Sequence, residues 1–292
     1  GHQCAIDAII AAQKQTHAKV AVITSLPENI DEAKTDEFHR HGVVVLHGLE
    51  IGLKPIESAV AASKLLNIPQ PDPVWLQAYE PIGNLSTLTE SKAKRLLSKF
   101  GLAVPQTKEI TNKGGIEEFA KTLAYPLVLK SLGLAHKSEF GAVVLNIDSD
   151  ISLRAAIAKV PVSPAGFLLE KMVDNTIVEV IIGVSRDTSG MLLLTMGAGG
   201  ILTELIDDST SLVMPVTKSD VIHALSQLKI NQILQGYRGA AAANINPLVD
   251  AVMSVQKYVE ANKDTIVEID INPLIVRERD ALAVDALVRQ YT

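Results

Sequence analysis

The feature that most constrains this chain is an alternation of short, β-branched apolar runs with stretches of helical spacing. KVAVITS (19–25) is one such run, stopped by Leu26 and Pro27. A run with no polar alternation predicts a strand buried on both faces, as in a parallel sheet. GVVVL (42–46) is a second. Around them, Ala5, Ile6, Ile9 and Ile10 have helical spacing within residues 3–17, and a polar helix is predicted at about 29–41. Pro55 suits the first turn of a further helix running to about Asn67. Helix–strand–helix–strand–helix in this order predicts one edge of a doubly wound α/β sheet. Two strands make no independent sheet domain, so the remainder is expected upstream. The opening GHQCAIDAII has neither Met nor a basic segment, which fits a processed or truncated product.

Pro69, Pro71, Pro73 and Pro81 interrupt any periodicity and predict a linker, with Trp75 and Tyr79 packing on a domain. The expected division is residues 1–70, a linker at 71–87 and a second domain at 88–292. That domain opens with a helix. Thr87 and Glu90 have capping-box spacing, Ala93, Leu96, Leu97 and Phe100 face inward, and Gly101 ends it. Strands are predicted at 125–131, 142–148, 167–172, 177–185, 191–197, 265–276 and 281–288. Helices are predicted near 115–123, 151–159, 218–228 and 247–261. The class is therefore α/β followed by α+β.

Composition removes several functions. With 47% apolar and 21% charged residues the chain has enough apolar surface to fold. No apolar run nears the about 18 residues of a bilayer span, so no membrane role is expected. A net charge of −6 leaves no basic surplus for nucleic acid. The single cysteine, Cys4, excludes an intrachain disulfide and suits a reducing, cytoplasmic setting.

Three places carry chemistry. In TIVEIDINPL, Glu268, Asp270 and Asn272 alternate along a strand and share one face, while Val267, Ile269 and Ile271 face a core. If the following turn is centred between Glu278 and Arg279, Asn272 lies opposite Asp285. Cross-strand partners have Cβ atoms about 4.5–5.5 Å apart. An amide oxygen and a carboxylate that close form half of a hard-cation site, of the kind Mg²⁺ completes with phosphates and water. The same pattern also serves a solvated polar hairpin. In MGAGGILTEL, Gly197, Gly199 and Gly200 either turn N–H groups toward an anion or make a plain tight turn. Neither a P-loop nor a dinucleotide fingerprint is present. Finally, Lys130 ends an apolar strand, where a cation can hold a phosphate or base. His136 follows between glycines, beside Lys137 and Glu139. It reads as an exposed loop histidine or as a nucleophile, because a neutral imidazole accepts phosphoryl groups near pH 7. His2, His17, His39, His41, His47 and His223 lack such surroundings and read as surface or packing residues.

Taken in order, ESKAKRLLSKFGLAVP, YPLVLKSLGLAHKSEFGAVVLNI, GVSRDTSGMLLLTMGAGGILTEL, GYRG, EIDINPL and AVDALV resemble the ATP-grasp half of the NDP-forming acyl-CoA synthetases. This is the family of the ADP-forming acetate–CoA ligases, related to succinyl-CoA synthetase. The resemblance covers residues 88–288 almost continuously. The preceding KVAVITSLPENI and HGVVVLHGLEIGLKPIESAV resemble the end of the family's flavodoxin-like CoA-ligase domain. The fold implied is the edge of a flavodoxin-like doubly wound sheet followed by an ATP-grasp domain. The resemblance makes Lys130 the ATP-grasp lysine, puts Glu170 and Glu179 near adenine and ribose, and gives Gly199 and Gly200 a phosphate to cradle. It makes Asn272 and Asp285 the metal pair and His136 a phosphohistidine. It implies ATP/ADP and Mg²⁺ as nucleotide and cofactor, and CoA and a carboxylic acid as substrates of the full enzyme. It further implies upstream CoA-binding and ligase domains and a homo-oligomer. The activity implied is acid, CoA and ATP giving acyl-CoA, ADP and phosphate. A nucleotide-binding regulatory module of a protein acetyltransferase, or a ligase coupled to a lyase step, are the alternatives. The sequence departs from the family pattern at Glu139–Phe140 and in the alanine run after Gly239.

Overall fold

The apolar runs near the start form a parallel pair, β1 (Ala21–Thr24) and β2 (Val44–His47). A computed structural model describes residues 2–66, 75, 83–133, 141–200 and 208–292 of the chain. The chain divides into two units, Gly1–Gln70 and Pro71–Thr292.

In the first unit α1 (His2–Thr16), α2 (Glu32–Arg40) and α3 (Leu49–Leu66) accompany the strand pair. α2 is the crossover that parallel strands require. Its N-cap, Asp31, accepts from the Lys34 N–H. Ile6, Ile10, Phe38, Val43 and Val45 form the buried core. Pro55 lies inside α3 rather than in its first turn, because the helix starts at Leu49.

The second unit holds two antiparallel sheets. The smaller has the order β4 (Thr107–Ile110), β7 (Phe167–Lys171), β5 (Leu127–Ser131), β6 (Val143–Ile147). α5 (Ile116–Ala120) and α6 (Asp150–Lys159) cover its apolar face, through Ile116, Ala120, Leu153 and Ala156. The larger sheet runs β10 (Ser209–Val213), β9 (Leu192–Ala198), β8 (Val178–Arg186), β11 (Ile266–Val276), β13 (Leu287–Tyr291), β3 (Leu85–Thr87). A short strand, β12 (Ala281–Ala283), also pairs with β11. Its core takes Ala93 and Leu97 from α4 (Glu90–Ser98), Val221 and Leu225 from α7 (Lys218–Ser226), Leu234 from α8 (Asn231–Leu234) and Leu248, Val252, Val255 and Val259 from α9 (Ile245–Ala261). The α9 positions recur at three- and four-residue spacing, which is what turns one helical stripe inward. Trp75 packs on this core; Tyr79 lies outside the described residues.

Four further sequence expectations need correction. Thr89, not Thr87, caps α4: its side chain accepts from the Lys92 N–H, whereas Thr87 is a β3 residue paired with Arg289. Residues 85–87, expected in the linker, thus form an edge strand. The run 281–288 is two strands rather than one. A bulge between Ile266 and Glu268 moves Ile266 into the core and leaves Val267 only half-buried. The strands β3, β4 and β10, which no apolar run announces, all lie at sheet edges.

Candidate functional site

The site begins on α4. Glu90 and Lys94 stand one helical turn apart on the face that also buries Ala93 and Leu97. Both charged residues are buried, Lys94 with 1% of its surface exposed. Burying a charge is costly unless it is paired, so partners must converge there. They come from β5 and β7. Lys130 pairs across the ladder with Leu168, which makes Glu170 its diagonal neighbour on the same face.

The two lysines meet the same acceptors. Lys130 Nζ donates to Glu90 Oε1 at 2.7 Å and to the Val284 carbonyl at 2.7 Å, and lies 3.1 Å from Glu170 Oε1. Lys94 Nζ donates to Glu90 Oε1 at 3.0 Å, to the Val284 carbonyl at 3.1 Å and to Glu170 Oε2. Burial alone would pull the Lys130 ammonium down in pKa. The carboxylates of Glu170, Glu90 and Asp285 outweigh it and hold the group above the ordinary lysine range.

Val284 leads to the second half of the site. β11 pairs with β12 at Leu274↔Ala283 and with β13 at Asp270↔Leu287, a single register on both sides of a gap. Continued across the gap, that register sets Asn272 opposite Asp285, as the hairpin arithmetic expects. Pro273 has no N–H for the ladder. Its carbonyl accepts from Val284 N–H at 3.2 Å, and the Val284 carbonyl is left pointing to the two lysines. Asp285 Oδ1 accepts from the Ala286 N–H at 2.8 Å. Asp270 is half-buried beside it, and burial, together with Glu268 and Asp285, raises its carboxyl pKa.

Asn272 is oriented by the glycine turn after β9: Gly200 N–H donates to Asn272 Oδ1 at 2.9 Å. Gly199 N–H donates to the Glu179 carbonyl at 2.8 Å. A Cβ on Gly199 would lie 2.6 Å from the Val180 backbone. One on Gly200, whose φ is +66°, would lie 1.7 Å from Glu179 Oε2. The glycines therefore allow the Glu179 carboxylate to sit against the turn, and both amides reach protein acceptors. A cleft of about 510 Å³ opens here, with Glu179, Gly199, Ala198, Asp208 and Lys229 in its wall.

The structure thus brings Lys130 and Glu170 together, and joins Glu179, Gly199, Gly200, Asn272 and Asp285 through contacts and register. His136 lies outside the described residues. Among the described residues no three His, Cys, Asp or Glu side chains group as a metal cage. Asn272 and Asp285 offer only hard oxygen donors, a set that fits Mg²⁺ completed by phosphate and water. Sequence reasoning missed Glu90 and Lys94. Their spacing looks like an ordinary surface ion pair, and only the position of Lys94 one turn before Leu97 hints at burial. The Val284 carbonyl carries no side-chain signal.

Residues 83–289 match the family model described as an ATP-grasp domain. The chain is 32% identical to the β subunit of acetate–CoA ligase [ADP-forming] I of Pyrococcus furiosus, over 68% of this chain and 90% of that subunit. Among solved structures it resembles dinucleotide-forming acetyl-coenzyme A synthetase 1 of Candidatus Korarchaeum cryptofilum, in complex with coenzyme A and Ca-AMPCP. The TM-score is 0.65 at 26% identity, covering 70% of this chain and 93% of that one. A second structure of that synthetase holds coenzyme A and Mg-AMPPCP, with its phosphohistidine segment pointing towards the nucleotide-binding site. There the TM-score is 0.61 at 26% identity, over 70% and 92% of the two chains.

Proposed function

The chain belongs to the ATP-grasp domain family, in the branch of the ADP-forming acetate–CoA ligases, and from that premise we propose how its residues handle the nucleotide. It is the ATP-grasp part of an ADP-forming acyl-CoA ligase. One observation carries the site assignment: Lys130 Nζ, the cation for a phosphate, sits 2.7 Å from the carbonyl that immediately precedes Asp285, the carboxylate for a metal.

In this reading Lys130 meets a phosphate oxygen by a charge-assisted bond. Glu170 and Glu179 line the nucleoside side, and the glycine turn holds Asn272 in place. Asn272 and Asp285 hold Mg²⁺, which when bound neutralises phosphate charge. His136 accepts the γ-phosphoryl of ATP. Its imidazole nitrogen forms the new N–P bond as the P–O bond to the ADP β-phosphate breaks. The chain's contribution is positioning and charge stabilisation. CoA and the carboxylic acid are bound by further domains, the assembly is a homo-oligomer, and it works in the cytoplasm.

Calorimetric titration of the chain with MgADP tests the reading. Binding should be saturable and lost in Asp285→Ala, whose melting temperature is otherwise near the parent's. γ-Labelled ATP should leave acid-labile, base-stable phosphate on the intact protein. His136→Ala should abolish that label and keep MgADP affinity. A parent that binds no MgADP overturns the reading; a labelled His136→Ala overturns only the histidine's role.

A further inference from the structure

Two buried lysines converge on one set of partners: a Glu90 oxygen, the Glu170 carboxylate and the Val284 carbonyl. Lys94 donates to all three and so uses the three N–H donors of its ammonium, whereas Lys130 donates to Glu90 and Val284 and pairs with Glu170 by charge at 3.1 Å. Two lysines and two glutamates also balance in charge. A single lysine would already reach all three acceptors, so the second calls for an explanation.

We propose that Lys94 is a positioning residue for the nucleotide site: it keeps Glu90, Glu170 and Val284 paired while Lys130 turns toward a phosphate. The inference rests on the reading of Lys130 as the nucleotide lysine. To meet a phosphate, Lys130 must redirect at least one N–H. Were it the sole partner, that turn would strip cationic support from carboxylates that are 2% and 5% exposed, a costly state. Lys94 contacts the same three residues, Glu170 through its other oxygen, so both carboxylates and the carbonyl keep a cationic donor. The exposures assign the roles: Lys94, at 1%, is sealed between α4 and the smaller sheet, whereas Lys130, at 6%, retains some surface. Lys94 thus acts through Lys130 and touches no substrate. It also holds the Val284 carbonyl, and so fixes the strand junction that presents Asp285.

The groups facing Lys94 are Glu90 on its own helix, Glu170 on β7, Lys130 on β5 and, through Lys130, Asp285. Replacing Lys94 by Met makes this set one unit more negative than in the parent, which pins Lys130 and repels a phosphate. Adding Glu90→Gln restores the parent's net charge and keeps an amide oxygen as acceptor. The test is MgADP affinity, by calorimetry on the full chain, with thermal melts as a fold control. Lys94→Met should weaken MgADP about tenfold or more, and the double variant should return to within about threefold of the parent. A residue that only anchors α4 would lower the melting temperature and leave the affinity of the folded protein unchanged. Parental affinity in Lys94→Met, or a folded double variant that stays weak, overturns the inference. If Lys94→Met alone does not fold, the double variant decides: near-parental affinity upholds the proposal and weak binding refutes it. If the parent binds no MgADP, the nucleotide reading fails and the inference with it.

Discussion

Lys130, Asp270 and Gly200 each sit where one property of the residue decides the local energetics. Lys130 is a buried cation held by carboxylates, and removing one partner of such a set costs about 3–5 kcal/mol. Lys130→Met should therefore lower the urea midpoint. Its folded pKa lies above its unfolded value, so its stabilising contribution is complete below about pH 10.4 and lost as pH climbs through the folded value. Urea midpoints followed upward from about pH 9 should fall less steeply in the variant than in the parent. Asp270 has the opposite balance. With its folded pKa raised, the native state binds more protons than the unfolded chain, and stability declines as pH rises from about 3.9 toward the folded value. Asp270→Asn should raise the metal-free melting temperature at neutral pH and flatten that decline; a lower melting temperature with an unaltered pH profile would contradict it. Gly200→Ala meets both a positive φ and the Glu179 carboxylate. A loss of about 1–3 kcal/mol is expected by denaturant titration.

Among the elements, α4 carries the most. The inward residues Ala93, Leu96, Leu97 and Phe100 were legible from spacing, but Glu90 and Lys94 were not, because a Glu–Lys pair one turn apart is usually solvated. Thr89→Ala removes the cap that holds the first turn, where Glu90 sits. About 1 kcal/mol of stability should go, seen as a lower melting temperature; no change would mean that tertiary contacts alone fix that end. The β11 hairpin shows the converse. Its register follows from turn position and residue count, so Asn272 and Asp285 could be paired on paper. The interior strands announced themselves as apolar runs. The edge strands β3, β4 and β10 did not, since an edge is covered on one side only and tolerates polar sequences such as TKEI and STSLV.

At the scale of the whole molecule the two units differ in what sustains them. The second has two sheets, each with its own helix-covered core. Among the described residues, the first rests on a two-stranded sheet and five buried apolar side chains. A pair of strands is marginal in water. Expressed alone, residues 71–292 should melt cooperatively and be stabilised by MgADP, whereas residues 1–70 should show no cooperative transition by circular dichroism. A sharp melt of the short piece would show that its helices compensate for the small sheet. Among the described residues no helix is long and apolar enough to cross a membrane.

Local chemistry determined much of this protein from the sequence alone. Helical stripes, apolar runs and turn position are properties of neighbouring residues, and they were enough to order the elements and to oppose Asn272 to Asp285. Lys130 stands out at the end of an apolar strand, and the family resemblance added Glu170. Only the tertiary structure decided that Glu90 and Lys94 join them, and that the Val284 carbonyl faces both lysines. The reason is physical: whether a charged side chain is solvated or buried depends on what packs over it. Glu90, Lys130, Glu170 and Val284 are separated by long stretches of chain and meet only when α4, the smaller sheet and the β12–β13 junction close on one another.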